Sequence, residues 1–403
     1  MTNKKLRILY IAWTPPSADN GACLAMRRHL IERKDFETFV LTNERFSDSE
    51  IQSYCLTRPA WLERAMRTRF RRLIRQLEML FLGRLMLAKA LRVAREFKPD
   101  LVFTIPDNDV SWCAYLTARR LKLPLVSNFQ DWWPHNQYWA ESERPYPRIR
   151  RVIEQRLRSI YAASALAFCT SEGMKEFLGP HTNAVTLFPC PGRPPANVPP
   201  ATVALGSKPL RVLYAGTIVG DYGRSVLSLA RHLAGSSKFQ LLVYGPSPDW
   251  NVADVSWAKA QGIYRGFIPH EQLRSVLASA DVFLTIMSFE RRLELMSRVS
   301  FTTKFLEYAQ YGRPVVVWGP PYCQPVLLAK KTVAGLPVES PDAASVICAL
   351  EQLISQSEYK RLAEGAIRAA KTFFAPDYIH EVFKDSIFKT IQKQRIFQPD
   401  AEH

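Results

Sequence analysis

Residues 6–13, LRILYIAW, form an apolar run broken only by Arg7, preceded by Lys4 and Lys5 and followed by Thr14-Pro15-Pro16. A short run without polar alternation predicts a strand buried on both faces, as in a parallel sheet. A helix is expected around Leu24–Lys34 and a second strand near Phe36–Leu41. After a long basic stretch come LVFTI (101–105), LPLVSNF (123–129) and ALAFCTS (165–171), with helices over Val110–Leu121 and Arg148–Ala163 between them. Strands alternating with helices predict a doubly wound α/β domain. Between Phe188 and Lys208 the pattern stops, leaving six prolines and no helical period, the signature of a linker. It then restarts. LRVLYAG (210–216) matches LRILYIA (6–12) residue type for residue type, and FQLLVYG (239–245), DVFLTIM (281–287) and RPVVVWG (313–319) predict further strands. Helical patterns over 342–371 and 377–394 close the chain. Two Rossmann-like halves are expected to face a central cleft at their strand carboxyl ends, where open α/β sheets bind ligands.

Composition narrows the class. The chain has 403 residues, 47% of them hydrophobic and 23% charged, a globular balance and not a disordered one. Seven scattered cysteines without a C-x-x-C pair argue against a zinc site and a disulfide framework, and point to a reducing cytoplasm. The N-terminal apolar run is too short to cross a membrane.

The net charge of +17 is uneven: between Arg58 and Lys98 twelve basic residues face three acidic ones, Glu63, Glu78 and Glu96. There, at helical spacing, Leu73, Leu77, Leu80, Phe81 and Leu85 can share one face, while Arg67, Arg71, Arg75 and Arg84 fall mainly elsewhere. The stretch reads either as a basic amphipathic helix for an anionic membrane surface or as a helix packed into the domain with a solvated polar face. A nucleic-acid partner is not expected, because no RNP, helix-turn-helix, KH or zinc-finger spacing accompanies the charge.

Three segments can carry chemistry. Asp107-Asn108-Asp109 has the Asp-x-Asp form that holds a divalent metal in some sugar-transferring enzymes, and it also stands where it can cap the helix starting at Val110. Ala215–Arg224 joins a strand to a helix with three glycines; it is not G-x-G-x-x-G, but it can turn backbone N–H groups and Arg224 toward a phosphate. In SFTTKFLEYAQYGRPVVVWG (300–319), Lys304 sits in the first turn of a predicted helix, where it opposes the helix dipole unless an anion binds. Glu307 lies three residues on. The two form either a surface ion pair or a ligand site in which the carboxylate takes ribose hydroxyls.

Taken in order, LRILYIAWTPPSADNG, TSEGMKEFL (170–178), LRVLYAGTI, LLVYGP, RGFIPHEQLRSVLASADVFLTIMS and SFTTKFLEYAQYGRPVVV resemble the retaining nucleotide-sugar glycosyltransferases of GT-B fold, specifically group 1 and glycosyltransferase family 4. The resemblance runs through nearly the whole chain and is strongest over 210–320. It implies an N-terminal acceptor domain (1–190), a Pro-rich linker (191–208), a donor domain (209–375) and a terminal helix (376–403) crossing back to the first domain. It further implies that Gly21, Thr217, Arg224, Ser300, Thr302, Thr303 and Lys304 surround the donor diphosphate and that Glu307 binds the ribose. Gly266, Phe267 and Ile268 would read the base, and Tyr244, Gly245 and the Thr285–Ser288 segment would line the donor side. Asp131, flanked by Trp132 and Trp133, and His135 are the acceptor-side catalytic candidates. Transfer would proceed by front-face attack without a metal or cofactor, the nucleotide sugar being the substrate and a lipid-linked or surface-polysaccharide precursor the acceptor.

The sequence departs from the family pattern at four places. Asn20-Gly21 replaces a glycine pair, Thr217 a basic residue, Val299 the first glutamate of Glu-x7-Glu, and Gln130 a histidine. These losses leave two alternatives open: a non-catalytic membrane-associated protein of the same fold, and a sugar-nucleotide epimerase.

Overall fold

The computed structural model describes residues 5–17, 21–46, 48, 50–56, 58, 60–106, 109–135, 144–193 and 208–397. The chain divides into two compact units, Met1–Cys190 with Ile379–His403, and Pro191–Tyr378. Most of the expected linker, residues 194–207, lies outside the described residues.

In the first unit, β1 (Leu6–Ala12) is followed by α1 (Gly21–Arg27), which runs on as a π-helical turn to Glu32. Then come β2 (Phe36–Thr42), β3 (Gln52–Cys55), α2 (Ala60–Ala65), α3 (Arg71–Leu85), α4 (Leu87–Phe97), β4 (Leu101–Thr104) and α5 (Val110–Leu121). The unit continues with β5 (Leu125–Phe129), α6 (Pro147–Ala163), β6 (Leu166–Cys169), α7 (Glu172–Leu178) and β7 (Ala184–Thr186). All seven strands pair in parallel in the order β3-β2-β1-β4-β5-β6-β7. Ile8 to Ala12 are wholly buried, as a central parallel strand covered on both faces must be. The edge strands β3 and β7 were not expected. They have four and three residues, too few to build a hydrophobic period, and exist because a neighbour's backbone offers them hydrogen bonds.

The second unit repeats the plan: β8 (Leu210–Ala215), α8 (Gly220–Leu233), β9 (Phe239–Tyr244), α9 (Val252–Ala260), β10 (Tyr264–Gly266), α10 (His270–Ala278), β11 (Val282–Ile286), α11 (Glu294–Val299) and α12 (Thr303–Ala309). It closes with β12 (Val315–Trp318), α13 (Gln324–Thr332), β13 (Leu336–Val338), α14 (Ala343–Gln352) and α15 (Gln356–Lys371). Its six strands are parallel in the order β10-β9-β8-β11-β12-β13. Tyr214, Val243, Leu284, Val316 and Trp318 fill the sheet core. The helical pattern over 342–371 proves to be two helices, because Asp342 caps the first through Ala344 N and the chain turns at Leu353–Ser355 before the second starts.

The last helix, α16 (Pro376–Phe397), brings the chain back to the first unit. Phe383 is fully buried and stacks on His29 at 4.4 Å and on Phe168 at 5.2 Å. Beside it His380 Nε2 meets Asp35 at 2.8 Å, and the Nδ1 atoms of His29 and His380 stand 3.1 Å apart.

Burial holds both imidazoles below their ordinary value of 6.5, His29 well below it. The unfolded chain therefore takes up protons that the folded one refuses once the pH drops under about 6.5. The stability this pair contributes is full above that value and is lost as the pH falls through it. His29→Leu should flatten the decline between about pH 6.5 and pH 5 in urea unfolding; parallel curves for variant and wild type would contradict the assignment.

Candidate functional site

In both sheets the strand order reverses next to the first strand of the unit, between β1 and β4 and between β8 and β11. Such reversals leave room for a ligand beyond the strand carboxyl ends. In the second unit three adjacent strands end there in glycine, as YAG, VYG and YRG at Gly216, Gly245 and Gly266. The ends are stitched laterally: Gly216 N–H donates to Tyr244 O at 2.8 Å and Gly245 N–H to Gly266 O at 3.0 Å. A Cβ on Gly245 would lie 2.1 Å from Gly216 O, so only glycine lets these two chain ends meet. Tyr214 Oη holds the following turn by donating to Thr217 O at 2.6 Å. Phe267, next to Gly266, is 70% exposed, and Ile268 is half-buried.

Lys304 reaches back over this turn from α12. A Cβ added to Gly216 would sit 2.1 Å from Lys304 Cε and 2.6 Å from Nζ; the ammonium also stands 5.9 Å from the centre of the Tyr214 ring. The lysine therefore lies on bare backbone. Burial pulls its pKa below the ordinary lysine value, with Glu307 opposing, and among the described residues Nζ has no hydrogen bond or ion pair. The surface Lys–Glu pair is thus not formed; Glu307 instead accepts the Gly192 amide at 3.3 Å. Ser300 and Thr302 precede α12, Thr303 opens it, and Thr302 as N-cap residue makes no side-chain cap. Tyr308 fixes the helix against the sheet: its hydroxyl accepts from Ala215 N–H at 3.0 Å and donates to Ala215 O at 3.2 Å, while its ring stacks on Phe283 at 4.4 Å.

Other expected contributors are already engaged. Arg224 pairs with Glu290, which also takes Arg292, and lies 3.5 Å from Asp221. Asp221 accepts the Ser288 hydroxyl and the Phe289 amide, the latter at 3.1 Å. Ser288 and Thr285 are buried, and Ser288 ties the loop after β11 to Asp221. Arg224, expected to replace the basic residue missing at Thr217, is held in this structure by two carboxylates.

In the first unit Gly21 opens α1, while residues 18–20 of its loop are outside the described residues. Asp131 is exposed two residues beyond β5, and His135 ends a short 3-10 turn, Trp133–His135. Trp132 and Trp133 are each 4% exposed, and Trp132 packs edge-on against Phe177 at 4.9 Å under Arg158. Both tryptophans that flank Asp131 are thus core residues. Of Asp107-Asn108-Asp109 only Asp109 is described. It neither caps α5 nor joins a metal cluster. It pairs with Arg75 at 3.1 Å, and burial lifts its pKa to about 6 against the pull of that guanidinium. Among the described residues no group of three or more His, Cys, Asp or Glu could hold a metal ion.

Two parallel Rossmann-like sheets, each with its strand order reversed beside the first strand, define a GT-B type α/β protein. Solved structures agree. Sucrose-phosphate synthase from Thermosynechococcus elongatus is 14% identical with a TM-score of 0.67, covering 97% of this chain and 100% of its own. Anabaena HepE, solved in complex with UDP-glucose, is 14% identical at 0.64, covering 95% and 100%. WaaG, a glycosyltransferase involved in lipopolysaccharide biosynthesis, is 14% identical at 0.58, covering 94% and 99%. At such identity the likeness is one of fold. No curated protein matches the sequence. The sequence profile of Glycosyltransferase Family 4 matches residues 23–190, and that of Glycosyl transferases group 1 matches residues 210–356. The chain belongs to these glycosyltransferases, which act on nucleotide sugars.

Sequence reading named Gly216 only as one of three glycines in its segment and did not single out Tyr308, Asp221 or Glu290. The repeated strand-ending glycine was a readable signal for the first; the others act through partners distant in sequence. Lys304→Met should remove a desolvated ammonium and leave stability unchanged or raised by about 1 kcal/mol, while weakening nucleoside diphosphate binding by roughly tenfold or more. Gly216→Ala, which must push Lys304 aside, should weaken binding comparably. Calorimetric titration checks both; wild-type affinity in either variant would remove Lys304 from the site.

Proposed function

We propose that the protein is a retaining, metal-independent glycosyltransferase of the hexosyltransferase type, moving a sugar from a nucleoside diphosphate to a lipid-linked or surface-polysaccharide precursor. One observation carries the reading: a half-buried lysine, with no hydrogen bond or ion pair among the described residues, lies on Gly216 at the end of β8, beside which the strand order reverses. A structural lysine gains nothing from that position, whereas a diphosphate would supply its missing counter-charge. Lys304, the Ser300–Thr303 backbone and Thr217 are assigned to the diphosphate, Glu307 to the ribose, and Gly266–Ile268 to the base. Tyr244 and Gly245 line the donor side. Asp131 and His135 are assigned to the acceptor.

In this reading the acceptor hydroxyl attacks the anomeric carbon on the face that the diphosphate leaves. The bond from that carbon to the phosphate oxygen breaks as the new glycosidic bond forms, and the hydroxyl proton passes to the departing phosphate. Lys304 and the backbone N–H groups stabilise the charge that grows there. The enzyme is assigned to the cytoplasmic side of a membrane, where it binds peripherally; no helix among the described residues is long and apolar enough to cross one.

Arg224, already paired with Glu290 and Asp221, favours a second reading: a protein that keeps the nucleotide site and has lost turnover. Thermal-shift titration with UDP, GDP, ADP, CMP and their sugar conjugates addresses both. One nucleoside diphosphate at a hundredfold excess over its Kd should raise Tm by roughly 5–10 °C. EDTA should leave that shift and any donor cleavage unchanged, and the sugar first released should keep the donor's anomeric configuration. Binding without cleavage or transfer selects the second reading, and no shift with any nucleotide overturns both.

A further inference from the structure

Helix α3 is folded inside out. Its outward face carries Leu73, Leu77, Phe81 and Leu85, which are 53%, 47%, 46% and 49% exposed, and Phe70 and Trp61 extend the apolar surface at 54% and 58%. Its inward face carries Arg75, Gln76 and Glu78 beside Met79, Leu82 and Gly83. Each inward polar group is satisfied. Glu78 takes Arg58 and Arg75, the latter at 2.5 Å, and Arg75 reaches Asp109 at 3.1 Å. Gln76 donates to Arg144 O at 3.0 Å and accepts from Tyr146 N–H at 2.8 Å. Rolling the helix to hide its leucines would tear these groups from their partners, so the orientation is locked and the apolar stripe stays outside.

Exposed arginines border the stripe: Arg67, Arg69, Arg71, Arg72 and Arg84. None has a carboxylate within ion-pair distance among the described residues. Of the three acidic residues between Arg58 and Lys98, Glu78 is buried in the network and only Glu63 and Glu96 are exposed. An outward apolar band with unpaired positive charge at its edges is complementary to a bilayer surface carrying anionic headgroups. The helix, 15 residues long, spans about 22 Å and is too short to cross a bilayer, so it would lie in the surface. A second copy is a poorer occupant, since two-fold pairing would set the same arginines against each other.

We infer that the outward face of α3, with Phe70 and Trp61, docks on an anionic lipid bilayer, its Leu/Phe stripe entering the acyl boundary and its arginines meeting lipid phosphates. This deepens the peripheral-membrane reading above by naming the element and its chemistry. The test is co-sedimentation of the full chain with vesicles of phosphatidylcholine alone or mixed with phosphatidylglycerol, with neither donor nor acceptor present. Wild type should bind the mixed vesicles, and binding should fall between about 0.1 M and 1 M salt. The exposed double variant Leu77→Ser/Phe81→Ser should bind roughly tenfold or more weakly and keep its salt dependence. Arg67→Gln/Arg71→Gln/Arg84→Gln should weaken binding and lose that dependence. Both variants should keep the wild-type thermal shift with nucleotide, which separates this result from the fate of the donor site. Wild type that ignores mixed vesicles, equal binding to phosphatidylcholine alone, or a dimer in solution dissolved by Leu77→Ser/Phe81→Ser would each overturn the inference.

Discussion

Parallel pairing constrains everything else in this protein. A strand hydrogen-bonded on both sides and covered on both faces has little room for polar side chains, so β1 and β8 are apolar except at their second residues, Arg7 and Arg211, which pair with Glu37 and Asp281. What such a sheet leaves open to a ligand is the carboxyl ends of its strands. In the second unit three adjacent strands end in glycine there, at Gly216, Gly245 and Gly266. With no Cβ in the way, the Lys304 side chain lies directly on the backbone of the turn after β8.

Once Lys304 is there, the surrounding polar groups divide in two. Tyr308, Tyr214 and the Asp221–Ser288 pair are satisfied by neighbours and hold the loops in place. Lys304 alone of this group has no hydrogen-bond or ion-pair partner among the described residues. Leaving one charge uncompensated beside a fully bonded scaffold costs stability, and it is what a site for an anionic ligand requires.

The first unit resolves a comparable conflict differently. Burying Arg75 and Glu78 is tolerable only because Arg58 and Asp109 complete the cluster, for an unpaired charge in that position would be strongly destabilising. The same cluster explains why the Asp109 side chain does not cap α5. It also ties the orientation of α3 to residues more than thirty positions away.

Much of the architecture was legible from the sequence because it depends on local periodicity: LRILYIA and LRVLYAG announce two equivalent first strands, and the proline-rich gap separates them. The ordered segments through 300–319 carried the family. Lys304 stood out because a cation in a first helical turn is locally unfavourable. Three-residue edge strands, the lone lysine's resting place on Gly216 and the burial of Trp132 were not legible, since each depends on a neighbour far along the chain. Helix α3 marks the boundary most clearly. Its amphipathic period is local and was readable, but which face turns inward was decided only in the tertiary structure, where Arg58, Asp109 and Arg144 outbid the leucines for contact with the interior.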